Sequence, residues 1–322
     1  MLPASARRLL IPRAEFSGDG RILATMDADG VRLWETLTAQ ELASLPFPGG
    51  HSIIFHPDGR SIVCSGEAGI YLWPIQSELI QGKFRLRTGT PRHLGLPAGM
   101  RQAALIPQRD QVAVACSEGV WIVGLDHAGL QFVPIHTDKL ESVSFSPDGK
   151  WMAAAALSGS RARIWNVETH QLVRLLPGSD TISVGFSPDG CCLVTCSFEE
   201  YRFWEMGSWE LCRTIKRNAG SRSFGHIVLD RSGMIMALST AELGVQLVET
   251  GSGHTLAILA ESGHSPICFS PDSGQLLTID PGGAYYIWDL RLIRQQLSAM
   301  NLDWALPPLA SPTDDSLRVA AH

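Results

Sequence analysis

Polar and apolar residues alternate in short segments along most of the chain, and turn signals separate the segments. In Ser142-Val143-Ser144-Phe145 every second residue is apolar, the period of a half-buried strand. It runs into Ser146-Pro147-Asp148-Gly149, where Pro pre-sets φ, Asp caps the turn and Gly supplies a positive φ. Strand-like segments follow at 151–157, 162–165 and 172–176, the last closed by Pro177-Gly178. The unit predicted is four short antiparallel strands.

That unit repeats. An aromatic or Leu ahead of the turn recurs as Phe16, Phe55, Leu105, Phe145, Phe186, Leu229 and Phe269, at intervals of 39, 50, 40, 41, 43 and 40 residues. A second anchor, Trp or Val at the end of an alternating run, recurs as Trp34, Trp73, Val123, Trp165, Trp204, Val248 and Trp288. Two independent series therefore count seven units, which predicts an all-β, seven-bladed β-propeller of four-stranded blades over residues 1–290. The seventh unit lacks a fourth strand after Trp288, and 5–10 is the unassigned strand-length segment expected to close it. The 50-residue interval places an insertion near 76–97, ascribed to the third blade, carrying Lys83, Arg85, Arg87, Arg92 and His93; this basic loop is a candidate for binding an acidic partner.

After Trp288 the period changes. Leu290, Ile293, Leu297 and Met300 form one helical stripe with Asp289 as N-cap, so a short C-terminal helix and tail occupy 291–322, with 304–308 ending the helix.

The repeats resemble the WD-repeat (WD40) family over roughly residues 9–290. The Trp-Asp dipeptide stands intact at Trp288-Asp289 and altered at Trp34-Glu35, Trp73-Pro74, Trp165-Asn166 and Trp204-Glu205; Gly-His pairs occur at 50–51, 225–226 and 263–264. In that family the His and Asp join a buried hydrogen-bond network in each blade, and most blades here lack the full set. The end of the chain also resembles the WD-repeat regions that follow kinase domains in large bacterial serine/threonine kinase-type proteins. The resemblance implies a non-catalytic scaffold or recognition module that captures a protein or peptide on one face, beside signalling domains.

Composition narrows the alternatives. The net charge is −6 and the 26 Lys and Arg residues are scattered, which argues against a nucleic-acid partner. The longest plain apolar stretches, such as 152–157, fall far short of the ~20 residues of a membrane helix. Seven cysteines form an odd set; Cys64, Cys116 and Cys196, each followed by Ser, read as buried thiols at one repeat position, and the vicinal Cys191–Cys192 pair as strand filling. A soluble, monomeric, cytoplasmic protein without membrane contact is expected.

No zinc helix, nucleophile elbow or phosphate loop occurs, and Gly263-His264-Ser265 is accounted for by the repeat. A propeller hydrolase or lactonase is the alternative. It needs ligands converging where the innermost strands begin, and the aligned blades place Pro12, His51, Arg101, Glu141, Ile182, Gly225 and Ser265 there. One carboxylate and one imidazole are too few for a metal, so neither metal nor other cofactor is expected. The next aligned position carries Arg13, Ser52, Gln102, Ser142, Ser183, His226 and Pro266, a varied set suited to recognition. Arg13, His51, Arg101, Gln102, Glu141 and His226 are the partner-binding candidates.

Overall fold

The computed structural model describes residues 13–80, 83–96, 99–126, 129–134, 140–156, 161–178, 181–217, 227–240, 244–260, 263–304, 306–307 and 309. The alternating segments pair with their sequence neighbours into seven antiparallel sheets, and the chain is a seven-bladed β-propeller. In the fourth blade the strands are Leu140–Phe145, Trp151–Ala156, Arg163–Asn166 and Leu172–Leu175, close to the segments read from periodicity. The seventh sheet has three strands among the described residues, ending with Tyr285–Asp289. The segment expected to complete it, 5–10, lies outside the described residues.

Each strand turns alternate side chains toward the blade before and the blade after, so the core is divided among the seams. Seven clusters of buried residues fill them. Among the described residues the seam between blades 7 and 1 holds five buried residues (Phe16, Leu23, Trp34, Leu277 and Tyr285), against thirteen between blades 1 and 2. In blade 4 the run Trp151–Ala156 is nearly all Ala beyond its first turn of strand, and these small residues admit the Trp204 and Trp209 rings from blade 5.

The turn after each innermost strand is built as its sequence demands. Ser146 Oγ donates to Asp148 at 2.5 Å and accepts from Trp151 N at 2.9 Å, and Ser17, Ser187 and Ser270 accept in the same way from Ile22, Cys192 and Gln275. Gly149 closes the turn at φ 68°. In blade 6 the two residues trade places: Asp230 takes the Ser position, receives Ile235 N at 2.8 Å, and is held by Ser232 Oγ at 2.5 Å.

The anchor tryptophans carry a second repeated bond. Trp34, Trp204 and Trp288 donate Nε1–H to Thr25, Thr195 and Thr278 at 2.8, 2.9 and 3.0 Å. The Thr stands two residues beyond the residue paired with the Trp across the sheet. In blade 2 that position is Cys64, and the buried Trp73 Nε1 has no hydrogen-bond partner.

Three expectations need correction. Cys64, Cys116 and Cys196 are all buried and unpaired, but they are not equivalent. Counted from the residue opposite the anchor, they stand two, four and three positions along the second strand. The insertion belongs to the second blade, not the third: the strand Gly69–Ile80 runs past the blade, pairs with Lys83–Thr88 as a hairpin, and the chain returns at Arg92–His93 to supply the outer strand. The helix, Leu290–Ala299, begins where read, with Asp289 accepting Leu292 N at 3.0 Å, but ends at Met300, four residues before Trp304.

The helix covers the seam between blades 6 and 7. Leu290 is fully buried there, with Ile293, Leu297 and Trp304 packed around it, whereas Met300 is exposed. Arg294 ties the tail down: its guanidinium grips both oxygens of Asp303 at 3.0 and 3.1 Å and donates to the carbonyls of Pro307 and Leu306 at 2.6 and 2.9 Å.

Candidate functional site

Antiparallel pairing brings to one face of the propeller the beginnings of the innermost strands and the turns joining second strands to third. His51 lies near the start of the strand Gly50–Phe55, and Arg101 lies just ahead of Ala103–Leu105. The turn after Ser61–Gly66 adds Glu67. His51 Nε2 faces Glu67 at 3.1 Å and Arg101 at 3.3 Å, and Arg101 reaches Glu67 at 4.0 Å. One ring nitrogen thus either donates to Glu67 or accepts from Arg101, according to the tautomer of the His51 ring. The hydrogen bond from His51 holds the Glu67 carboxyl below its ordinary range. Side-chain exposures of 32% for His51, 37% for Arg101 and 61% for Glu67 leave all three within reach of a partner.

Of the sequence candidates, then, the structure brings His51 and Arg101 together. Gln102 follows Arg101, half-buried, with its carbonyl accepting Ala115 N. Arg13 opens the first innermost strand, half-buried and opposite Met26. Glu141 lies on the strand Leu140–Phe145, its side chain beyond description, and His226 lies outside the described residues. The varied ring of recognition residues proves partly architectural. Ser142 is buried and receives Val184 N at 3.3 Å across the seam, and the buried Ser52 donates to the Ala103 carbonyl at 3.5 Å. Where the inner edge of an innermost strand has no strand beside it, a side chain of the preceding blade satisfies the N–H, as Ser142 does for Val184.

The same logic explains Glu15, which sequence reasoning passed over. It accepts Phe55 N at 3.0 Å, as Ser144 accepts Phe186 N at 3.2 Å one step before the anchor in its own blade. Glu15 is the sole acid at that aligned position, among Ile54, Ala104, Ser144, Gly185, Val228 and Cys268, and that contrast was the available signal. Desolvation pushes its carboxyl up to about 8 against the opposing Phe55 N–H. It lines a cavity of about 390 Å³ toward the opposite face, walled by Phe55, Ile227, Leu229, Ile267 and Phe269. Cys268 is there too, its thiol pushed far up by burial.

The arrangement does not assemble a nucleophile with a base. His56, at the cavity rim, holds Asp58 through Nδ1 and Asp110 of the next blade through Nε2, both at 2.8 Å. Burial pushes this imidazole down, but bonds and charges from the two carboxylates outweigh it and the pKa rises. With both nitrogens engaged, His56 clamps two blades. The Cys191 thiol is raised by the Asp189 charge and that of Cys192 by burial, neither of which favours the reactive thiolate. Among the described residues no group of three or more His, Cys, Asp or Glu is placed to hold a metal ion, and no helix is long and apolar enough to cross a membrane.

Comparison with known proteins bears on the fold's lineage. The model of the WD domain, G-beta repeat, matches residues 130–166, which hold the outer strand of blade 3 and three strands of blade 4. Actin-interacting protein 1 of Drosophila melanogaster is 27% identical over 213 residues, covering 62% of this chain. The target of rapamycin complex subunit LST8 of Bos taurus is 22% identical over 233 residues, covering 66% of this chain. Together they support a WD40 β-propeller. An uncharacterized WD repeat-containing protein of Synechocystis is similar over a shorter stretch, 37% identical across 62 residues, or 19% of this chain and 18% of its own. The match spans 34% of the fly relative's length and 68% of the bovine relative's.

Proposed function

We propose that this WD40 propeller is a non-catalytic scaffold that captures a protein or peptide partner on the face bearing His51, Glu67 and Arg101. The supporting observation is that cluster: three ionisable side chains from two blades meet, part-exposed, on a rigid frame. Arg at the centre of an interface is a frequent energetic anchor, and a bidentate fork suits a carboxylate or a backbone carbonyl. The relatives carry names of interacting and complex-forming proteins, in keeping with a scaffold. Association with bacterial kinase-type signalling proteins in the cytoplasm is the finer form of the proposal, resting on the resemblance of the chain's end. No specific feature of the site favours the hydrolase alternative.

The test is quantitative capture from the native cell, comparing the wild-type chain with a His51→Ala/Arg101→Ala variant of unchanged melting temperature. Partners recovered by the wild type should fall about tenfold with the variant, the effect of losing roughly 1.4 kcal/mol. Equal recovery would remove the function from this face.

A further inference from the structure

The hairpin inserted in blade 2 extends beyond the blade's outer edge, where Arg92–His93 also pairs with the third strand. Its two faces differ. Phe84 and Leu86 turn inward and pack on the cluster between blades 1 and 2, beside Leu42 and Ala43. Arg85 and Arg87 alternate with them and are exposed. Across the hairpin Glu78 stands opposite Arg85 and 3.9 Å from Arg87, whose side chain is still 71% exposed, so the neutralisation is partial. Over 76–97 four Lys and Arg residues face one Glu, a local charge of +3 in a chain of net −6.

We propose that this arm docks an extended acidic peptide segment of a partner protein, with carboxylates at alternate residues paired to Arg85 and Arg87. Two residues of strand rise place the arginine Cα atoms about 6.7 Å apart, the spacing between same-face residues of an extended peptide. Arg presents a planar fork that holds a carboxylate through two parallel bonds. A protein segment is favoured over nucleic acid because the chain's overall charge repels a polyanion, whereas a short acidic segment feels mainly the local field within about 10 Å. The surface is distinct from the His51–Arg101 face, and the two proposals stand or fall separately.

The experiment measures binding of a labelled twelve-residue peptide of alternating Glu and Ser to the full chain at low salt. The same peptide with Gln for Glu, and a twelve-nucleotide oligothymidine, serve as comparators. Arg85→Glu/Arg87→Glu should weaken binding of the Glu/Ser peptide by about tenfold, as expected for two exposed pairs turned repulsive. Arg174→Glu, an exposed residue of the blade 4 rim, should change it by less than about twofold, since it stands two blades away from the arm. His51→Ala/Arg101→Ala should leave it unchanged. Equal weakening by both charge reversals, a Gln/Ser peptide that binds as well, or tighter binding of the oligothymidine would each overturn the proposal.

Discussion

The repeated Trp–Thr bond offers the sharpest test of what holds a blade together. Trp204 is 2% exposed and Thr195 4% exposed, and the Thr hydroxyl is the acceptor for Nε1–H at 2.9 Å. Thr195→Val keeps the branched shape but leaves that N–H buried without a partner, at a cost of about 1–3 kcal/mol. Unfolding entropy near 60 °C is about 2.1 cal/mol/K per residue. For 322 residues, and a single cooperative transition, the melting temperature should fall by about 1.5–4 °C. Blade 2 allows the converse experiment, because Trp73 Nε1 already lacks a partner opposite Cys64. Cys64→Thr should raise the midpoint by about 1–2 °C as that donor is satisfied, a gain of about 1 kcal/mol. Cys64→Val separates hydroxyl from shape, since it supplies the branch without the acceptor and should give no such gain. Thermal melts followed by tryptophan fluorescence, with urea midpoints at constant m, provide the measurement. A rise in Cys64→Val equal to that in Cys64→Thr, or no loss in Thr195→Val, would refute the reasoning.

Other consequences follow from the same structure. Glu15 holds its proton up to about pH 8 when folded but releases it near 4.5 when unfolded, so the wild type loses stability as pH rises between those values. Glu15→Gln, which can still accept Phe55 N–H, should gain on the wild type across that window and keep a constant lead above it; parallel melting curves from pH 4 to 9 would contradict this. Arg294→Met keeps the apolar stem but loses the grip on Asp303 and the tail carbonyls, costing about 2–3 kcal/mol. Hydrogen exchange in the tail around Trp304 should accelerate with it, and unaltered exchange would deny the clamp. Deleting residues 1–11 should lower the melting temperature by several degrees if they supply the strand that the seventh sheet's three described strands leave open; an unchanged melt would dismiss the amino-terminal segment as the closing strand.

What the sequence revealed and what it hid have a common physical origin. Anchors and turns were legible because every blade must bury a large residue at the same seam position and reverse direction directly after it. The helix was legible because Asp289 and the Leu290, Ile293 and Leu297 stripe obey local rules. The functional cluster was legible by halves: alignment put His51 and Arg101 on one ring, but Glu67 sits in a turn 16 residues after His51, and antiparallel pairing brings it back to the same face. The cysteine register failed because Ser after Cys is a weak marker: blades 2 and 3 share the same turn register, yet Cys64 and Cys116 stand two positions apart on it. The insertion failed similarly: a long interval reports extra residues without saying which blade's rim they leave.

The uneven distribution of the Trp–Thr bond is easier to understand once both members of each pair are considered. Blades 3 and 6, where Val123 and Val248 replace Trp, carry Val114 and Leu238 in place of Thr. Donor and acceptor have gone together, and exchanging both for apolar groups is nearly neutral, whereas losing one leaves the other buried and unmatched. Blades 2 and 4 keep the Trp without the Thr: Cys64 stands at the acceptor position of Trp73, whose Nε1 is buried without a partner, and Ala154 at that of Trp165. The frame therefore relies on apolar seams, which tolerate change on either side if volume is kept. Freed of a required polar set, positions on the open face such as His51 and Arg101 can differ from blade to blade, while Ser52 and Ser142, tied into the seams, cannot differ as freely.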